Sequence, residues 1–139
     1  MERVTLSTHN GTHLDAPYHY FSRMNERPVP GGEPSMRIDE VPLDWCLQSG
    51  VEQDFIELPD GRVVSAAEVQ VELARIGHVL KPMDIVLANT RAGRRYGEAD
   101  FLDAGCGMGR EATLWLVEYG IRGRILDSGG ALHDAAVLA

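Results

Sequence analysis

Between Ser65 and Asn89 the chain reads SAAEVQVELARIGHVLKPMDIVLAN, and no other stretch limits the fold so tightly. Ser65 followed three residues later by Glu68 is a capping box, the signature of a helix start. Val69, Leu73, Ile76 and Leu80 then recur at helical spacing, and Pro82 is the expected stop. Residues 83–89 follow as a short apolar run suited to a buried strand. Upstream, VEQDFIEL (51–58) reads as a strand stopped by the Pro59-Asp60-Gly61 turn. Downstream, a second helix is predicted to open near residues 107–110, run through EATLWLVEY and stop at Gly120. IRGRIL (121–126) makes a further strand, and Val4 to His9 alternates as a half-buried strand would. Strands alternating with two helices predict a mixed α/β fold.

Bulk properties narrow the function. The 139 residues suffice for one domain with a core, and 44% hydrophobic with 24% charged residues is globular composition. A net charge of −8 disfavours nonspecific binding to nucleic-acid backbones, which needs concentrated Lys and Arg. No apolar run approaches the roughly 20 residues that span a bilayer. MERVTLSTH lacks the apolar core of a signal peptide, so the expected location is cytoplasmic. Cys46 and Cys106 are read as buried or inert thiols.

Three of the five histidines fall within THNGTHLDAPYHYF, residues 8–21. Asn10-Gly11 is a hairpin-type turn signal, and Asn10-Gly11-Thr12 fits a glycosylation acceptor, but neither accounts for the histidines. His9, His13 and Asp15 are donor types for zinc or manganese. If His9 ends a strand and Asn10-Gly11 turns the chain, His13 and Asp15, two apart in extended backbone, face one side. Pro17 restricts Ala16 to an extended conformation and delivers His19 at the rim. Three protein ligands leave a position for an acidified water, and His19 has the chemistry of a proton carrier. Surface histidines in a turn are the plain alternative. SRMNERPVPGGEPS (22–35) is a loop long enough to act as a flap.

Other candidates have plainer roles. His78, late in the first predicted helix, suits the negative end of the helix dipole. His133 is assigned no ligand role. GCGMGRE (105–111) matches neither nucleotide-loop pattern and serves as an entry to the second helix. Arg91, Arg94 and Arg95 suit an anionic substrate or a solvated loop. Trp115 belongs to a helical apolar pattern and hence to the core, whereas Trp45 is a possible pocket wall.

HNGTHLDAPYH resembles the H-x-G-T-H-x-D-x-P-x-H signature of the cyclase family of metal-dependent hydrolases, which includes bacterial kynurenine formamidase and isatin hydrolase. All fixed positions are met, by His9, Gly11, Thr12, His13, Asp15, Pro17 and His19. The resemblance continues through LARIGHVLKPMDIVLANTRAGRRYG and GCGMGREATLWLVEYGIR and covers roughly residues 4–122. It implies a swivelling β/β/α domain, with a mixed sheet flanked by two main helices, assembled as a homodimer or larger. It also implies His9, His13 and Asp15 as ligands of a divalent metal, Zn or Mn, and His19 as catalytic acid/base.

The implied reaction is hydrolysis of a small-molecule amide by metal-activated water, typically N-formylkynurenine to kynurenine and formate in tryptophan catabolism. Another cyclic amide or a polyketide-like substrate is the near alternative, and a non-catalytic metal-binding fragment the distant one. The expected organisation is a single domain over 1–139, short of the family's pattern before residue 9 and after about residue 122. GRILDSGGALHDAAVLA departs from the family's second-metal segment, so no second metal site is carried over.

Overall fold

The computed structural model describes residues 2–5, 13–23, 33–122 and 125–127. It divides into two compact units, Met1–Val41 and Pro42–Ala139. The first holds one helical turn, α1 (Pro17–Tyr20). The second holds β1 (Gly50–Asp54), β2 (Val63–Val64), α2 (Ala66–Ile76), β3 (Ile85–Asn89), β4 (Gly107–Met108), α3 (Arg110–Glu118) and β5 (Ile125–Asp127).

The larger unit is mixed α/β, as expected, but its described strands pair in parallel rather than as a mixed sheet. β1 and β5 flank β3, with Val51 opposite Val86 and Val86 opposite Ile125. β2 and β4 form a second parallel pair. Parallel neighbours need long crossovers, and α2 and α3 lie within them. Val51, Val86 and Ala88 join Val69 and Leu73 of α2, and Ala112 and Leu116 of α3, in one buried cluster. Trp115 packs against this cluster, half-buried, in the core role expected of it.

The capping box forms as read. Ser65 Oγ accepts from the Glu68 N–H at 3.3 Å, and the Glu68 carboxylate accepts from the Ser65 N–H at 2.8 Å. The helix ends earlier than Pro82. Gly77 adopts a left-handed conformation, φ 70°, and the His78 N–H closes back on the Leu73 carbonyl at 3.0 Å. Leu80 still reaches the core, but from the connection after the helix. His78 therefore lies beyond α2, and its role is corrected. Its Nε2 sits 2.9 Å from Oδ2 of buried Asp84, which also accepts from the Lys81 N–H at 2.9 Å.

Three strand expectations change as well. The strand read over 51–58 ends at Asp54 because Asp54 Oδ1 accepts from the Ile56 N–H at 3.1 Å and turns the chain. Of the strand read over Val4–His9, residues 4 and 5 form no regular element, Val4 is 80% exposed, and residues 6–9 lie outside the described residues. Alternation alone makes no strand without a neighbour to pair with, and none is present among the described residues. In the strand read over 121–126, Ile121 is instead a core residue and pairing begins at Ile125. Of the two cysteines read as buried or inert, Cys106 is buried and Cys46 is exposed.

β2 and β4 meet tightly at Gly109, which follows β4. A Cβ there would stand 2.7 Å from Val63 Cγ1 and 2.8 Å from the Val64 carbonyl oxygen. Gly109→Ala is expected to destabilise the protein by about 1–3 kcal/mol, read as a lower urea midpoint. An unchanged midpoint would show that the strands part without cost.

A second test concerns pH. Glu72 accepts from Arg75 Nε at 2.7 Å and from the Asp54 N–H at 2.8 Å, tying α2 to the end of β1. The Arg75 hydrogen bonds hold its carboxyl below the ordinary value of 4.5, with burial opposing and the Asp54 N–H assisting. A carboxyl depressed in the folded state stabilises fully above its unfolded pKa and loses that contribution as pH falls through the lowered value. Glu72→Gln should therefore flatten the loss of stability below about pH 4.5, measured by urea denaturation across the acid range.

Candidate functional site

The site residues lie in the smaller unit, where Pro17 organises the backbone. Ala16, preceding the proline, is extended with φ −79° and ψ 158°. Pro17 occupies the first position of α1, where its fixed φ suits a helix and its missing N–H costs nothing. The turn closes through the His19 N–H on the Ala16 carbonyl at 2.9 Å and the Phe21 N–H on the Pro17 carbonyl at 3.2 Å. The Tyr18 N–H donates to the Met36 carbonyl at 3.0 Å, and the Arg37 guanidinium lies over the Tyr18 ring. Ala16 and Pro17 are buried, so the corner between extended backbone and helix is anchored.

The loop read as a flap has a closed neck. Arg23 bridges Pro34 in antiparallel fashion, and the Ser35 N–H donates to the Ser22 carbonyl at 3.0 Å. Residues 24–32 lie outside the described residues.

Two of the three expected ligands come together. His13 Nε2 stands 3.6 Å from Asp15 Oδ2, and the two side chains are 33% and 24% exposed. His9, with Gly11 and Thr12, lies outside the described residues, as does His133. Among the described residues no three His, Cys, Asp or Glu side chains converge as a metal cage.

The pair nevertheless passes a geometric test. Ligand nitrogen and oxygen at about 2.0–2.2 Å from one zinc, at a near-tetrahedral angle, lie about 3.3–3.5 Å apart. The observed separation is close to this, with a neutral imidazole and a carboxylate as donors. Both remain open to solvent, as ligands that must meet a metal and a substrate need to be.

His19 is exposed on α1, reached by a helical turn rather than by continued extension. Its ring packs edge-on against Tyr20, with centroids 4.9 Å apart and planes at 89°. Tyr20 also donates its hydroxyl to Asp15 Oδ2 at 3.3 Å. Sequence reasoning missed Tyr20. The signal was its place at the end of the turn that Pro17 starts, where the chain folds back towards Asp15.

Two of the three candidate arginines of the larger unit, Arg91 and Arg95, make protein contacts. Arg91 donates to the Ile56 and Glu57 carbonyls, each at 3.4 Å, and Arg95 pairs with Asp100. Trp45 is half-buried in a short helical turn. GCGMGRE supplies β4 and the start of α3, the entry role expected of it. No helix among the described residues is long and apolar enough to cross a membrane.

The ligand-type motif of the smaller unit and the parallel α/β fold of the larger one together point to a class, and the sequence comparison says which one. The chain belongs to the Cyclase family, whose model matches residues 2–131. Its fold is similar to isatin hydrolase A from Labrenzia aggregata bound to benzyl benzoate, with TM-score 0.59 and 24% identity over 81% of this chain and 44% of that one. It is also similar to isatin hydrolase A from Ralstonia solanacearum, with TM-score 0.60 and 22% identity over 89% and 51% of the two chains. A third structure, described as a potential metal-dependent hydrolase with cyclase activity, gives TM-score 0.59 and 19% identity over 95% and 67%. The chain thus spans about half the length of the two isatin hydrolases. No curated protein matches it.

Proposed function

We propose that this chain carries the metal site of a hydrolase that cleaves an amide bond. The observation that carries this reading is the 3.6 Å approach of His13 Nε2 to Asp15 Oδ2 within a motif that meets every fixed position of the family signature. His9, His13 and Asp15 would hold one divalent ion, zinc or manganese. When bound, such an ion supplies a Lewis acid and lowers the pKa of water to near neutrality.

The remaining chemistry belongs to the chain. His19, exposed on α1, accepts a proton from the attacking water at an imidazole nitrogen. It returns that proton to the leaving nitrogen as the C–N bond breaks, and the carboxylic acid formed releases its own proton to solvent, so one water is consumed and one proton released. Pro17 sets the direction from which His19 approaches.

The leading substrate is N-formylkynurenine, giving kynurenine and formate in tryptophan catabolism, the arylformamidase reaction. The likeness to two isatin hydrolases supports a second reading, a cyclic amide opened by the same steps. The proposal extends to a single swivelling β/β/α domain, a cytoplasmic homodimer or larger assembly, and no nucleic-acid or membrane partner.

The test is metal content and turnover of the purified chain on N-formylkynurenine and isatin. His13→Ala and Asp15→Ala should abolish stoichiometric metal. His19→Ala should keep the metal and lose roughly 10²- to 10⁴-fold in kcat. Metal without turnover on either amide would favour a binding fragment. Folded protein with neither metal nor turnover would overturn the reading.

A further inference from the structure

We propose that Tyr20 is a positioning residue that couples the metal ligand Asp15 to the proton carrier His19. The inference rests on the metal-hydrolase reading of the site. One side chain touches both groups: its hydroxyl donates to Asp15 Oδ2 at 3.3 Å, and its ring meets the His19 ring edge-on at 4.9 Å. Asp15 Oδ2 is the same oxygen that faces His13 Nε2. The hydroxyl thus acts on the donor atom of the pair and leaves the imidazole of His13 to the metal.

The backbone makes this arrangement rigid. Tyr20 ends α1, and the Phe21 N–H on the Pro17 carbonyl locks the turn behind it. A carboxylate that binds a metal gains orientation from a hydrogen bond on its own oxygen, and losing such a partner typically costs 10- to 100-fold in metal affinity. At 3.3 Å the bond is long for an O–H···O contact, which points to the lower end of that range. The edge-on ring contact limits the rotamers open to His19.

The two limbs separate by substitution in the full chain. Tyr20→Phe removes the hydroxyl and keeps the ring, whereas Tyr20→Leu removes both. Cobalt(II), followed by its visible absorption, is the metal probe, and circular dichroism reports folding. The ring-proton resonances of His19, assigned by their loss in His19→Ala, report the ring contact in metal-free protein.

Tyr20→Phe should weaken cobalt affinity roughly tenfold and leave the His19 resonances at their wild-type positions. Tyr20→Leu should displace those resonances as well. Wild-type affinity in Tyr20→Phe, or unshifted His19 resonances in Tyr20→Leu, would overturn the coupling. If Tyr20→Leu does not fold, His19 resonances that move in Tyr20→Phe overturn the ring limb instead. Wild-type protein that binds no cobalt overturns the metal reading itself, an outcome distinct from one in which only Tyr20 proves silent.

Discussion

Pro17 removes conformational choices on both sides of itself, and the candidate site depends on that. It bars Ala16 from the helical region and fixes the first residue of α1 in it. The chain therefore changes from extended to helical at one buried corner. Before the corner, His13 and Asp15 share a side and come within 3.6 Å. After it, one turn carries His19 forward and brings Tyr20 back to Asp15. A residue tolerant of other backbone angles at position 17 would leave these groups without a common geometry.

The larger unit follows a different logic, one of burial. Val51, Val86 and Ala88 on the sheet, with Val69, Leu73 and Leu116 on the helices, exclude water from a single cluster. Gln53 sits in the same unit, fully buried, and its carboxamide atoms have no hydrogen-bond partner among the described residues. Such a group costs about 1–3 kcal/mol.

What was legible in the sequence is what local chemistry decides. Ser65 and Glu68 announce their helix because the capping box needs only those residues in that spacing. The apolar run at 83–89 announces a buried strand from its composition alone. What was not legible depends on contacts distant in sequence or on competing local bonds. Asp54 ends β1 by accepting from Ile56, a bond the alternating pattern does not reveal. The six-residue separation between His78 and Asp84 hides their pairing, so a helix-end role was read instead. Gly77 marks the true end of α2, whereas the apolar spacing out to Leu80 pointed to a stop at Pro82. At the site, donor types and spacing put forward His13, Asp15 and His19 as candidates. Tyr20 escaped because a hydroxyl partner leaves no signature of its own in a ligand motif.

Family membership rests on a match across residues 2–131, and the amide-hydrolase reading rests on His13 and Asp15 holding one metal together. Anomalous diffraction from crystals grown with zinc or manganese tests this most directly. The account predicts a peak between His13 Nε2 and Asp15 Oδ2, with His9 as a further neighbour. A fully occupied metal bound elsewhere, with His13 and Asp15 both outside its coordination, would contradict it.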